Sequence, residues 1–146
     1  ITIRVGKEPD HQDFLLHEGT MYARSEFFGR AMNGNWQEKE EHLVRLPQDK
    51  AEIFDYYTHL VNTRDRARPQ TKASLRNEYT LLCHVYVLSE KLLDVKAKNA
   101  TVKAILKVAN ESPTDGNWVV PPSHAVRVIY ERTPPTSPAR VLMVDL

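Results

Sequence analysis

The stretch Phe14-Leu-Leu-His17-Glu-Gly-Thr20-Met21-Tyr-Ala-Arg-Ser25-Glu-Phe-Phe28 passes from strand-like to helix-like patterning, and its reading decides the fold. Phe14, Leu15 and Leu16 form a short apolar run that reads as a strand. His17 ends that strand and is placed to hydrogen-bond locally, fixing the helix that follows. Two short helices come next, with Met21, Phe27, Phe28 and Met32 among their apolar residues. Ser25 stands where a side-chain oxygen can cap the helix carrying Phe27 and Phe28 by accepting from a free backbone N–H. Those two aromatics are core candidates, each worth roughly 1.5–3 kcal/mol when fully buried.

Working outward, Ile1, Ile3 and Val5 alternate with Thr2 and Arg4, the period of a half-buried strand. Residues 6–12 are turn-like, so the run at 14–16 pairs back on this first strand as a hairpin. Downstream, Asn33-Gly-Asn35 breaks the chain, and Val44 and Leu46 mark a third strand ending at Pro47. Asp49 can cap the next helix, with Glu52 three residues on in a variant of the capping box. Ile53, Phe54, Tyr57, Leu60 and Val61 share one face of it. Residues 62–73 are polar and read as an exposed loop containing Pro69 and four basic residues, Arg64, Arg66, Arg68 and Lys72.

A long helix follows, with Leu82, Val85, Tyr86, Leu92 and Leu93 on one stripe. Asp94 caps another, whose Val95, Val102, Ile105, Leu106 and Ala109 share a face. Residues 111–122 form a loop with Pro113 and Gly116, and Ala125, Val126, Ile129 and Tyr130 suggest a short helix. Thr133 to Pro138 is a rigid connector. Ser137 caps a last helix with Pro138 at its favoured first position, burying Leu142, Met143 and Leu146. The order is a hairpin, helices, one strand, then helices to the end. That is an α+β pattern, a small sheet covered by a helical cluster, with a core over residues 1–110 and a helical extension over 111–146 packing on it. No internal repeat is present.

Composition sets outer bounds. The chain has 146 residues, enough for one domain with a single core, and 41% hydrophobic with 27% charged residues is globular usage. No apolar stretch approaches the about 18 residues that span a bilayer. Twenty basic residues against nineteen acidic leave a net charge of +1, which supplies no general attraction to nucleic acid or anionic membranes. One cysteine, Cys83, excludes an internal disulfide framework and suits a reducing compartment, so an intracellular location, cytoplasm or nucleus, is expected. The chain opens at Ile1 in what reads as a strand, which implies an excised domain.

Several pieces, in order, resemble the BTB/POZ family. Phe14-Leu-Leu-His17 followed by Met21-Tyr-Ala-Arg-Ser25-Glu-Phe-Phe28 is similar to its signature, a hydrophobic strand ending in His and then a helix ending Ala-Arg-Ser before an aromatic pair. Ile1-Thr-Ile-Arg-Val-Gly6 resembles the preceding strand. Leu43-Val-Arg-Leu-Pro47 and Ile53-Phe-Asp-Tyr-Tyr57 resemble the next strand and helix, and Leu82 to Leu93 and Lys98 to Leu106 the two helices after it. The ending, Ile129-Tyr-Glu-Arg-Thr-Pro134 and Ser137-Pro-Ala-Arg140, is similar to the tail of BTB-domain proteins of filamentous fungi. The likeness covers nearly the whole chain, with two departures. The Asp usual before the first strand would precede Ile1, and Asn62-Thr63-Arg64 stands where the family commonly has Tyr-Thr-Gly, which fits a longer loop and removes an aromatic often near the partner surface.

Each chemically suggestive residue has a plainer reading beside it. His17 would need a partner acid and a pocket to act as a general base, and no Ser-His-Asp order or Gly-rich loop supplies one. The six histidines have no HExxH or other close ligand spacing, and Cys83 and His84, adjacent on a helix, cannot both face one site, so no metal or cofactor is expected. The basic loop carries no aromatic platform for nucleic acid and reads as solvated. Trp36-Gln37-Glu38 is different: a Trp inside the polar segment 33–41 has few core neighbours and makes an anchor for a partner pocket, unless it folds back onto its own domain. In BTB domains that recruit a cullin scaffold, this place can hold a hydrophobic residue, any residue, then Glu.

The resemblance thus implies a non-enzymatic interaction domain. Family dimers commonly use the first strand and the helix after the His, which points to Ile1, Ile3, Thr20 and Met21, although Thr20 is polar where an aliphatic residue is usual. Trp36 and Glu38 become the candidates for binding a cullin-three ubiquitin-ligase scaffold as a substrate adaptor. His17, Ser25, Phe27 and Phe28 become the structural signature. The alternative is an architectural self-association domain with no ligase role.

Overall fold

The computed structural model describes residues 1–34, 36–62, 72–110 and 120–146, with the backbone alone described at 36 and 72–74. Strands β1 (Thr2–Val5), β2 (Gln12–Leu15) and β3 (Leu43–Leu46) form a mixed sheet in the order β2-β1-β3. β1 and β2 are the expected antiparallel hairpin, with Ile3 opposite Phe14, and β3 runs parallel to β1 with Val44 opposite Ile3. Alternation sends Ile3, Val5, Val44 and Leu46 into the core and leaves Arg4 and Arg45 on the other face. There Arg4 donates to both carboxylate oxygens of Asp13 at 2.8 Å, directly across the hairpin. A register slip would lose that fork-shaped pair, and its hydrogen bond holds the Asp13 carboxyl below its usual range. Gly6 makes the turn out of β1 at φ +98°, a conformation open to residues without a Cβ.

Helices α1 (Glu18–Arg24), α2 (Glu26–Gly34), α3 (Trp36–Glu41), α4 (Ala51–Val61), α5 (Lys72–Lys91), α6 (Val95–Ala109), α7 (Ser123–Arg132) and α8 (Pro138–Asp145) complete the described residues. The class is α+β. α5 packs against α4, α6 and α7 and buries Leu75, Tyr79, Leu82, Cys83, Val85, Tyr86 and Leu88. Phe14 of the hairpin meets Phe54 of α4 edge-on at 4.9 Å, joining sheet to helices through one apolar cluster. Ala125 and Ile129 of α7 and Ala139 and Met143 of α8 belong to the same cluster, and the Tyr86 and Ser137 hydroxyls lie 3.1 Å apart within it. The segment 111–146 therefore adds helices to the core of residues 1–110; residues 111–119 lie outside the described residues.

The turn between α5 and α6 is short because Asp94 serves both helices. Its N–H bonds to the Ser89 carbonyl and the Leu93 N–H to that of Glu90, the paired bonds of a Schellman ending. Leu93 occupies the left-handed position at φ 53°, where a Cβ costs about 1–2 kcal/mol. The Asp94 carboxylate then accepts the Ala97 N–H at 2.9 Å, capping α6 as its sequence position predicts.

Other local expectations need correction. The polar segment around Trp36, to which the sequence assigns no element, is helical over Trp36–Glu41, and α2 continues through Gly34 rather than breaking at Asn33. Asp49 does not cap α4: the cap position is Lys50, with no side-chain bond, and Asp49 pairs with Lys91 across the fold. α5 begins at Lys72, inside the stretch read as loop, while Arg64, Arg66 and Arg68 lie outside the described residues. Ser137 holds the cap position of α8, but its hydroxyl meets Tyr86 instead of the helix N–H groups. The buried face of α6 is Ala97, Thr101, Ile105 and Val108, whereas Val95 and Leu106 are exposed. Small Ala97 and Thr101 suit close approach to α5, and Thr101 satisfies its hydroxyl on the Ala97 carbonyl at 2.7 Å.

Candidate interaction surface

The His17–Phe28 run ends in a buried polar joint. Ser25, between α1 and α2, donates its hydroxyl to the Leu92 carbonyl at 2.5 Å and accepts the Phe28 N–H at 3.3 Å. The second bond is the capping role expected of Ser25; the first ties the helix pair to the far end of α5. Beside it, Arg24 donates Nε to Asp94 Oδ2 at 3.2 Å and an Nη to the Val61 carbonyl at 3.2 Å. The Tyr57 hydroxyl donates to the same Asp94 oxygen at 2.9 Å. Burial first, and then the Asp94 charge, raises the Tyr57 phenol far above its ordinary value, so it remains a donor. Asp94, fully buried, thereby links α1, α4 and α6. Phe28 is fully buried, and Phe27 is half-buried with its ring edge-on to Phe28 at 5.5 Å.

One flank of this joint is a groove of about 380 Å³ at the end of β2, where Leu15, His17 and Thr20 meet Tyr57 and Val61. Leu15 is 83% exposed, although it belongs to the apolar run that identifies the strand. β2 ends at Leu15, so His17 follows the strand and occupies the cap position of α1, exposed and without a side-chain capping bond. The Thr20 hydroxyl lies 3.4 Å from His17 Nδ1, the local contact the sequence suggests. Of the four residues expected at a dimer surface, Thr20 is exposed and Ile1 half-buried. Ile3 and Met21 correct that expectation: they are 0% and 2% exposed, because the sheet alternation and the inward face of α1 place them in the core. Leu15 is instead the large apolar side chain of this segment left at the surface, 83% exposed, which periodicity alone does not show.

The other flank is a groove of about 470 Å³ between α1, the end of α2 and α3, with Glu18, Tyr22, Met32, Lys39 and His42 on its walls. Tyr22 donates to Glu18 at 2.5 Å, and burial together with that bond pushes its phenol up to about 12. His42 Nδ1 approaches the other Glu18 oxygen at 3.8 Å. The backbone of Trp36 opens α3 next to this groove, its side chain being outside the described residues, and Glu38 is half-buried in the first turn. On the outer side of α3, Glu41 accepts from Arg45 at 2.7 Å and from Gln37 at 3.1 Å, which holds its carboxyl below the usual range.

The residues with reactive side chains lie apart. Cys83 is fully buried and burial pushes its thiol up to about 12, a state in which it is neither thiolate nor accessible. His84, next to it, is only half-buried and faces a different part of the surface. Among the described residues no three His, Cys, Asp or Glu side chains are grouped to hold a metal ion, and no helix is long and apolar enough to cross a membrane. The sequence reading found Asp94 as a cap but missed Arg24 and Tyr57, which reach it from 70 and 37 positions away. A local pattern carries no sign of such partners. No protein-family model matches the chain, and no curated protein sequence matches it.

Proposed function

We propose that the chain is a protein–protein interaction domain of the BTB/POZ type, which self-associates and recruits a cullin-three ubiquitin-ligase scaffold as a substrate adaptor. The observation that carries the interaction reading is Leu15, a large aliphatic side chain 83% exposed on an edge strand beside Thr20 and a groove of about 380 Å³. A second chain seated there would remove that side chain from water. The family reading is supported by the order of elements, a hairpin, three short helices of which the first two join at Ser25, a strand parallel to the first, and then helices. Scaffold recruitment falls to α3, whose Trp36-Gln37-Glu38 turn leads into Lys39 and Glu40 on the wall of the second groove. A role without catalysis is consistent with a deeply buried, protonated Cys83 and with an exposed His17 whose side-chain neighbour is Thr20.

Sedimentation at two concentrations tests self-association. The wild-type chain sediments as a dimer and Leu15→Asp as a monomer; a wild type that stays monomeric when concentrated overturns the proposal. A pull-down with purified cullin-three tests the adaptor role, with Trp36→Ala and Glu38→Ala both losing binding. Full binding by Trp36→Ala rules out the triplet, and no binding by a dimeric wild type leaves the architectural reading in its place.

A further inference from the structure

Away from both grooves, the turn before α4, the outer side of α5 and the end of α7 enclose a cleft of about 300 Å³. Lys50 enters it from the turn, His84 and Lys91 from α5, and Arg132 from the last turn of α7. Among the described residues its single carboxylate is Asp49, and Lys91 is already paired with it. Lys50 and Arg132 have no carboxylate partner among the described residues, and both are exposed. The part of the cleft around His84 is therefore uncompensated and positive, in a chain whose net charge is only +1. The imidazole responds to it: burial first, then Lys50, Arg132 and His124, lower the His84 pKa. Beside these polar groups lie Ile53, Val87 and Leu88, an apolar wall that a bare inorganic ion would not use.

Cations from separate elements, held around a half-buried imidazole and an apolar wall, suit a compact anion carrying an organic group. We propose that this cleft binds a phosphate monoester, its anionic oxygens between Lys50, Arg132 and His84 and its organic part against Ile53, Val87 and Leu88. Arg132 supplies the planar fork that matches two phosphate oxygens, Lys50 a point charge and His84 a ring N–H. The same chemistry is presented by a small phosphate ester and by a phosphorylated side chain of a partner protein. The site stands independently of the proposed adaptor role, since it shares no residue with α3 or with the Leu15 groove.

The test is NMR titration of the whole chain, following the His84 ring resonances against phenyl phosphate, inorganic phosphate and a short phosphotyrosine peptide. Phenyl phosphate gives a saturable shift and raises the His84 pKa, because the added anion offsets the charges of Lys50, Arg132 and His124 while Asp49 stays on Lys91. Inorganic phosphate binds more weakly. Arg132→Gln and Lys50→Gln each weaken phenyl phosphate binding by about tenfold, whereas Lys103→Gln, on the exposed side of α6, leaves it unchanged. Both cleft cations are exposed, so these variants keep the wild-type melting temperature. Binding of the peptide as well identifies a phosphorylated side chain as an acceptable source, and its exclusion restricts the site to small esters. The proposal is overturned by shifts that never saturate, by equal affinity for inorganic phosphate, or by equal weakening in Lys103→Gln.

Discussion

Replacing Asp94 by alanine tests whether the joint behind the His17–Phe28 run holds the helices together. The substitution removes the cap of α6, worth about 1 kcal/mol. It leaves the Tyr57 hydroxyl, buried on α4, without its acceptor, which costs about 1–3 kcal/mol. It also strips Arg24 of its counter-charge. Breaking a buried ion pair costs about 3–5 kcal/mol, but the Arg24 side chain is 18% exposed and keeps the Val61 carbonyl, so the lower end applies. The three effects share one carboxylate and are not additive. A loss of about 4 kcal/mol is expected, a large part of the 5–15 kcal/mol typical of a whole domain. Asp94→Asn keeps an oxygen for the cap or for Tyr57 and costs roughly half as much. Urea unfolding followed by far-UV circular dichroism at pH 7 gives both values from the midpoint at constant slope. In a double-mutant cycle, Tyr57→Phe costs about 1 kcal/mol alone and almost nothing added to Asp94→Ala, because the hydroxyl has by then lost its partner. A cost below about 1 kcal/mol for Asp94→Ala, or simple additivity in the cycle, refutes the reasoning.

Ser25→Ala removes one bond to the Leu92 carbonyl and one from the Phe28 N–H, and the same assay should record a loss of about 1–3 kcal/mol. The rotated face of α6 separates two neighbours: Ile105→Ala should cost about 2–5 kcal/mol, while the exposed Leu106→Ala should stay within about 1 kcal/mol; equal costs would mean the helix is rotated otherwise. On the alkaline side, the Cys83 thiol moves from 9.0 unfolded to about 12 folded, so its contribution is complete below pH 9 and is lost as pH rises towards 12. Thermal melts should fall over that window by an amount equivalent to about 1 kcal/mol near pH 10, and Cys83→Ala should flatten the fall; an unchanged slope removes Cys83 from the account.

The sheet and the helix order were legible because they are written in local periods. Ile1, Ile3 and Val5 announce a strand by alternation, and the stripe from Ile53 to Val61 announces α4. Where the reading failed, a tertiary partner outweighed a local rule. Asp49 has the sequence position of a cap, but Lys91 comes close enough to claim it. Val95 and Leu106 look like the inward face of α6 because they are larger than Ala97 and Thr101; close packing on α5 selects the small residues instead. Five polar residues after Trp36 hide α3, since a helix of that length has no room to display an apolar stripe.

The surface was less legible than the scaffold for a related reason. An apolar residue in a strand gives the same pattern whether its face is buried by its own chain or by another, so Leu15 and Ile3 look alike in sequence and differ completely in exposure, 83% against 0%. The polar joint shows the converse. Ser25 and Arg24 read as ordinary helix-end residues, yet their bonds to Leu92 and Asp94 fix α1 and α2 to the turn that ends α5 and begins α6. That fixes the two grooves as well: α1 forms a wall of each, with Thr20 and Met21 in one and Glu18 and Tyr22 in the other. A partner seated against Leu15 and a partner seated against α3 would thus press on two faces of one short helix, whose C-terminal Arg24 is anchored on Asp94. If both are occupied together, Asp94→Ala must weaken both contacts, although it touches neither surface. Loss of one contact alone, in a variant still folded, would mean that the grooves are held independently and that the joint serves stability only.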